Sequence, residues 1–310
     1  MNREPVNFVE TLEYRRFVEF CDACRRYRYI GLCYGRSGVG KTLSARRYSG
    51  WDEVEKGPPP HRLADEQVSP AASWHSAFYT VPVVNAPRPV EAEVLHRLHQ
   101  LQSYAEEPLR REEAAQMAEL QSRFDTARRE LLETHDWLTV PLASPAGPPY
   151  AEIARSYTQK RRALAADARL IIVDEADRLT MASLEQLRDL FDRTGYGLVL
   201  LGMPGLQKRL SRYAQFYSRI GFVHEFRPLN ESQVRELLSQ HWTPPGVALP
   251  NVEPLGEEAV AAIIRVTGGN FRLLYRLLTQ MERILAINKL ASVTPAVVEA
   301  ARESLVIGDG

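Results

Sequence analysis

The stretch "CYGRSGVGKTLSARR", residues 33–47, decides how this chain folds. Within it Gly35-Arg36-Ser37-Gly38-Val39-Gly40-Lys41-Thr42 has the spacing G-x-x-x-x-G-K-T and runs on into Leu43. Glycines let a backbone turn with its N–H groups facing an anion and no Cβ in the way. A helix starting at that point adds its positive end. Lys41 is placed to reach the outer phosphates of a nucleotide, and the Thr42 hydroxyl to join a Mg²⁺ shell. "YIGLCY" (29–34) before the loop reads as a strand, and "TLSARRY" after it reads as a helix. That context predicts a nucleotide site built by residues 35–43, with ATP and Mg²⁺ as its cofactors.

A second element is "RLIIVDEADRL", residues 169–179. A continuous apolar run ends in Asp174, placed to hold Mg²⁺, and Glu175 follows, placed to polarise an attacking water. Two acids opening a helix are also favoured by its dipole, but beside a phosphate loop the catalytic reading takes precedence.

Outward from these two motifs, apolar runs recur at 29–34, 77–84, 169–174, 196–202 and 221–226, with helical spacing between them. Runs without alternation suit strands buried on both faces of a parallel sheet. The alternation predicts an α/β domain with a parallel five-stranded sheet flanked by helices. Two insertions interrupt it. Residues 52–75 read as a Pro-rich surface loop. Residues 90–135 read as charged helix, broken and restarted at Pro108, with Met117, Leu120, Phe124, Ala127 and Leu131 at 3–4–3–4 spacing. They form either a hairpin packed on its own domain or a docking arm for a partner. "SPAGPPY" (144–150) closes the insertion as a loop.

Beyond residue 227 only helical spacing is left, with Asn230, Thr267 or Asn270, and Thr294 as N-cap or turn residues. The division expected is an α/β nucleotide-binding domain at 1–227, with insertions at about 52–75 and 90–150, and a small all-helical lid at 228–310.

Lys plus Arg and Asp plus Glu stand at 39 each, so no global charge drives the chain toward nucleic acid or membrane. Cys21, Cys24 and Cys33 are too few and odd in number for a disulfide framework, which fits a reducing cytoplasm. Cys21-x-x-Cys24 has no second pair to complete a zinc site and reads as packing thiols. No run approaches the roughly 20 apolar residues of a membrane span.

A strand between the two nucleotide motifs resembles the P-loop class that contains the AAA+ ATPases. Two arginines strengthen the resemblance. Arg219, in "FYSRIGFVHEF", and Arg272, in "VTGGNFRLLYRLL", occupy the positions of an arginine finger and of sensor 2. The resemblance implies that Arg219 reaches a neighbouring subunit's nucleotide, in competition with Arg209 and Arg212 for that role, and that Arg272 reaches its own. Arg suits both tasks through its planar, permanently charged fork. The sensor 1 position departs from the family: "LVLLGMPGL" places Met203 there, without a conventional hydrogen-bonding group. "VDEAD" is shared with the DEAD-box helicases, but their S-A-T motif and second motor domain are missing.

Three blocks are similar to the DNA-transposition helper ATPases of the MuB, TnsC and TniB type: residues 11–42, the "ARLIIVDEADRLTMASLEQLRDLFDRTGYGLVLLGMPGL" stretch, and the closing helices from "VTGGNFRLLYRLL" onward. The resemblance implies a homo-oligomeric filament or ring on double-stranded DNA that recruits or activates a transposase, with hydrolysis driving disassembly. Orc/Cdc6-type loader or initiator ATPases share the same core, and a nucleotide-gated binding module with little catalysis is a further alternative. Two local basic patches could meet DNA phosphates: Arg155, Lys160, Arg161 and Arg162, and Lys208, Arg209, Arg212 and Arg219. Either could equally be a solvated helix face.

Overall fold

A computed structural model describes residues 8–58, 75–134, 148–166, 169–240, 242–244, 247–249 and 255–305. The chain runs α1 (Leu12–Tyr27), β1 (Ile30–Tyr34), α2 (Lys41–Ser49), α3 (Trp51–Lys56), β2 (Ser76–Thr80), α4 (Pro87–Thr134), α5 (Pro148–Ala166) and β3 (Leu170–Asp174). It continues through α6 (Met181–Thr194), β4 (Gly197–Gly202), α7 (Leu206–Leu210), α8 (Ala214–Tyr217) and β5 (Ile220–Glu225). Four helices follow: α9 (Glu231–Ser239), α10 (Glu257–Thr267), α11 (Phe271–Asn288) and α12 (Pro295–Glu303).

The strands form one parallel sheet in the order β2-β3-β4-β1-β5. Every residue of β3 and β4 is buried, as their unbroken apolar sequences require. The edge strand β5 alternates half-buried and exposed residues instead. α1 packs across β4, β5 and β1, started by Thr11, whose hydroxyl accepts the Tyr14 N–H at 3.1 Å. Cys21, Cys24 and Cys33 are all buried thiols in this layer, and no group of metal-ligating side chains occurs among the described residues. Parallel order brings the ends of all five strands to one edge of the sheet, where ligands bind in open α/β folds.

The helical C-terminal region has its own apolar cluster, which includes Val234, Ile263, Leu274, Leu277, Leu278, Met281 and Val298. Asn230, Asn270 and Thr294 cap α9, α11 and α12, whereas Thr267 is the buried last residue of α10 and bonds back to the Ile263 carbonyl. Among the described residues no helix is long and apolar enough to cross a membrane.

Three sequence expectations are corrected. The run 77–84 is strand only to Thr80: Pro82 has no N–H to donate to a ladder, and Val83 and Val84 stand in solvent. Pro108 does not break its helix. α4 is 48 residues long and continues through it. The flanks explain why. Val90, Val94, Leu98, Leu101 and Tyr104 are buried on the body, and beyond Pro108 the helix is held by α5. There Lys160 pairs with Glu112 at 3.2 Å, Arg161 with Glu113 at 2.6 Å, and the Tyr150 hydroxyl donates to Gln121 at 3.0 Å. The insertion is thus an antiparallel helical hairpin. Finally, α3 occupies the start of the 52–75 loop, and α5 begins inside 144–150. The rest of those two loops and the Leu131 side chain lie outside the described residues.

Candidate nucleotide site

The G-x-x-x-x-G-K-T loop joins β1 to α2 at the ligand edge of the sheet. Its first N–H, on Gly35, donates to the Gly202 carbonyl at the end of β4, at 3.2 Å. Gly38 has φ +83°, and a Cβ there would lie 2.5 Å from Asn270 Oδ1 and 2.7 Å from Arg272 Cβ. Only glycine serves at that point, both for its backbone and for what lies over it.

Lys41 folds back on its own loop. Its Nζ donates to the Gly35 carbonyl at 2.5 Å and the Arg36 carbonyl at 2.9 Å. Burial pulls its pKa below the ordinary lysine value, against the pull of Cys33, Asp174, Asp177 and Glu175. The Thr42 hydroxyl donates to Asp174 Oδ2 at 2.7 Å, and the Glu175 N–H donates to Asp174 Oδ1 at 2.9 Å. Asp174 is 3% exposed, and burial raises its pKa in spite of those two donors. A carboxylate short of positive charge, with a hydroxyl oxygen beside it, suits a hard divalent cation. The pair therefore fits Mg²⁺.

Glu175 has φ +57°. Of the three non-glycine residues with positive φ among those described, Arg28 and Lys289 end helices, and Glu175 instead turns the chain out of β3. That conformation costs roughly 1–2 kcal/mol and is typical of functional sites. The Glu175 carboxylate lies 3.7 Å from Arg178 and faces a cavity of about 490 Å³.

The helical region closes this cavity from the other side. Asn270 Nδ2 donates to the Ser37 carbonyl at 2.8 Å. The Arg272 N–H donates to the Gly38 carbonyl at 3.1 Å, and its guanidinium donates to Ser37 Oγ at 2.6 Å. Part of the cavity wall is apolar, made by Phe8, Val9, Trp242, Phe271 and Tyr275. A flat heterocycle would find ring faces there and a triphosphate would find Lys41 and the loop N–H groups.

Residues 24–210 match the AAA domain family. The chain is also 38% identical, over 306 residues and 97% of both chains, to a protein of Staphylococcus aureus described as a potential ATP-binding protein. This protein belongs to the AAA domain family. Solved structures with the same fold include Cdc6p from Pyrobaculum aerophilum (TM-score 0.54, 13% identity, 98% of this chain and 70% of that one). Another is RuvB of Thermotoga maritima, a Holliday junction branch migration motor (TM-score 0.51, 14% identity, 97% and 71%). The Aeropyrum pernix ORC2 protein, solved in ADPNP–ADP complexes, is similar to the same degree (TM-score 0.51, 13% identity, 98% and 70%).

The AAA domain brings most of the sequence-derived residues to one cavity. Ser37, Gly38, Val39, Gly40, Lys41, Thr42, Leu43, Asp174, Glu175 and Arg272 all line it. Gly35 and Arg36 instead give their carbonyls to Lys41. Arg219 lies elsewhere. Its carbonyl accepts the Ile30 N–H at the start of β1, the end of the sheet opposite the loop. Its guanidinium grips Asp192 through two bonds, at 2.7 and 2.8 Å.

The basic patches are partly consumed within the AAA domain. Lys160 and Arg161 pair with α4, and Arg209 donates to the Asp177 carbonyl at 2.7 Å and to that of Leu179. Arg155, Arg162, Lys208 and Arg212 are exposed. Sequence reading missed Phe8, Val9 and Trp242, which carry no motif, and Asp177, Asn270 and Tyr275, which do stand inside quoted stretches.

Proposed function

We propose that this AAA-type ATPase is an ATP-dependent switch that assembles with copies of itself on double-stranded DNA. The observation that carries the switch is the clasp of Asn270 and Arg272 on Ser37 and Gly38, which ties the helical region to the phosphate loop. In this reading residues 1–227 form the nucleotide-binding domain and 228–310 the lid. A triphosphate on the loop N–H groups competes for the Lys41 ammonium and for the Arg272 guanidinium. Thr42 and Asp174 would hold Mg²⁺, which would supply positive charge to the bound phosphates. Glu175 accepts the proton of the attacking water. Loss of the γ-phosphate removes what Arg272 reads, and the lid relaxes. Arg219, at the far end of the sheet, is positioned to serve a neighbouring subunit's nucleotide rather than its own.

The DNA partner and the regulation of a transposase rest on the sequence resemblance to the transposition helpers. The fold shared with Cdc6p suits an Orc/Cdc6-like loader equally well. Net neutrality and only four exposed basic side chains in the two patches make DNA affinity per subunit low, so a multivalent assembly supplies it. The test is assembly of the full chain on plain duplex DNA, by sedimentation and negative-stain microscopy. It is run with a non-hydrolysable ATP analogue, with ADP and without nucleotide. DNA-dependent particles with the analogue alone are expected. Assembly indifferent to DNA would move the partner search to proteins.

A further inference from the structure

Met203 poses a chemical problem at the end of β4. An attacking water is held in line by two acceptors for its two hydrogens, and Glu175 provides one. Met203 cannot be the second, because a thioether is a poor acceptor. Three carboxylates line the cavity: Glu175 is the base and Asp174 is bonded to Thr42 at 2.7 Å. The group left is Asp177.

We propose that the Asp177 carboxylate orients the attacking water, taking the role that the side chain at 203 does not fill. The inference rests on the ATP-hydrolysis reading above. Asp177 is half-buried and lines the same cavity as Glu175, Thr42 and Met203. Both its oxygens face the Met203 N–H, at 2.9 and 3.0 Å. The backbone at 203 thus holds the group that replaces its own side chain. An ionised carboxylate has about four acceptor sites, and that single N–H leaves the others open. Among the described residues no ion pair neutralises Asp177.

Two neighbours keep the carboxylate in place. A Cβ at position 202 would come within 2.8 and 3.1 Å of its oxygens, so Gly202 is what makes room for it. Arg209 grips the backbone on both sides, donating to the Asp177 carbonyl at 2.7 Å and to the Leu179 carbonyl. The spacing D-E-x-D then has a chemical meaning. Asp174 stays with Thr42, Glu175 turns outward in a left-handed conformation, and Asp177, within the short 3₁₀ turn that follows, lines the same space.

In the step so described, the water oxygen bonds to the γ-phosphorus, and the bond from that phosphorus to the β,γ-bridging oxygen breaks. The electron pair leaves with ADP. One water proton passes to Glu175. The other is hydrogen-bonded to Asp177 and stays on the phosphate product.

The test compares wild type, Asp177→Ala, Asp177→Asn, the double variant Asp177→Ala/Met203→Asn, and Glu175→Gln, all as full chains. Steady-state ATPase rates, affinity for a fluorescent ATP analogue and Tm are measured on each. Asp177→Ala is expected to lower kcat roughly 10- to 100-fold, within the range of a lost water-orienting or charge-stabilising contact. KM and analogue affinity should stay within about threefold, because the contact acts on the water and not on the bound nucleotide. Asn at 203 restores an acceptor but not the backbone contact to residue 177. Recovery of about tenfold in the double variant therefore separates water orientation from a structural role. Asp177→Asn keeps an acceptor for the Met203 N–H and serves as the folded reference should the Ala variant lose its structure. A kcat near wild type in both single variants would overturn the inference. So would a joint fall of kcat, affinity and Tm without rescue. Wild-type turnover no faster than Glu175→Gln would remove hydrolysis itself, and the role of Asp177 with it.

Discussion

Lys41 holds two carbonyls of its own loop, a contact that an incoming phosphate must replace. Charge-assisted bonds of this kind contribute about 1.5–3 kcal/mol. Lys41→Ala is therefore expected to weaken ATP binding roughly 10- to 100-fold, read by titration with a fluorescent ATP analogue, while unaltered affinity would take Lys41 out of the site. His224 makes a prediction about pH. Its ring stacks on Phe20 at 5.5 Å between flanking Phe17 and Phe226, and burial lowers its pKa. Glu13 and Glu225 oppose that shift, and Arg16 and Arg227 add to it. A lowered folded pKa means that the unfolded chain takes up the proton first as pH falls. Stability is full above the unfolded value of about 6.5 and declines from there toward the folded value. Thermal unfolding at pH 7.5 and 5.5 should show that decline, and His224→Phe should flatten it.

Among the elements, α4 carries the plainest test. A proline in a helix interior is about 3 kcal/mol less favourable than alanine. Pro108→Ala should raise Tm by several degrees, whereas a fall would mean that the helix needs the proline's bend. The N-cap of α11 offers a second. Asn270 accepts the Arg272 and Leu273 N–H groups and also bonds to Ser37. Asn270→Ala should lose about 1 kcal/mol as a cap and weaken nucleotide binding as well, which an ordinary cap would not do. These elements also mark what the sequence could tell. The strands were legible because burial on both faces writes an unbroken apolar run, as in β3 and β4. The end of β2 was not, since Val81–Val84 reads as strand by composition and is stopped by Pro82. Pro108 was misread because its local signal is that of a helix start. What overrides it is packing by residues on α5, 48 positions away in the Lys160–Glu112 pair. In the site, the loop and the D-E pair follow fixed spacings and are legible from the sequence. The ring faces of Phe8 and Trp242 come from opposite ends of the chain and meet only through the fold.

For the whole molecule, the nucleotide cavity and Arg219 lie at opposite ends of the sheet, and the proposed trans role of Arg219 can be tested by mixing variants. Lys41→Ala lacks a nucleotide-binding lysine and keeps Arg219. Arg219→Ala lacks the reverse. Each should be inactive alone, and mixing them should restore part of the ATPase rate if the site is shared between subunits. Wild-type turnover by Arg219→Ala alone would assign Arg219 to its 2.7 Å pair with Asp192 and nothing more. The unbroken course of α4 has a mechanical side. At 1.5 Å per residue its 48 residues make a rod about 72 Å long. One part of that rod is seated beside β2 and α6, and the other forms half of the hairpin. The hairpin and the part of α4 packed beside β2 and α6 thus belong to one helix, and a displacement of the hairpin is passed along it toward the sheet edge that carries the loop after β2. The hairpin is a lever whose fulcrum lies inside the nucleotide-binding body.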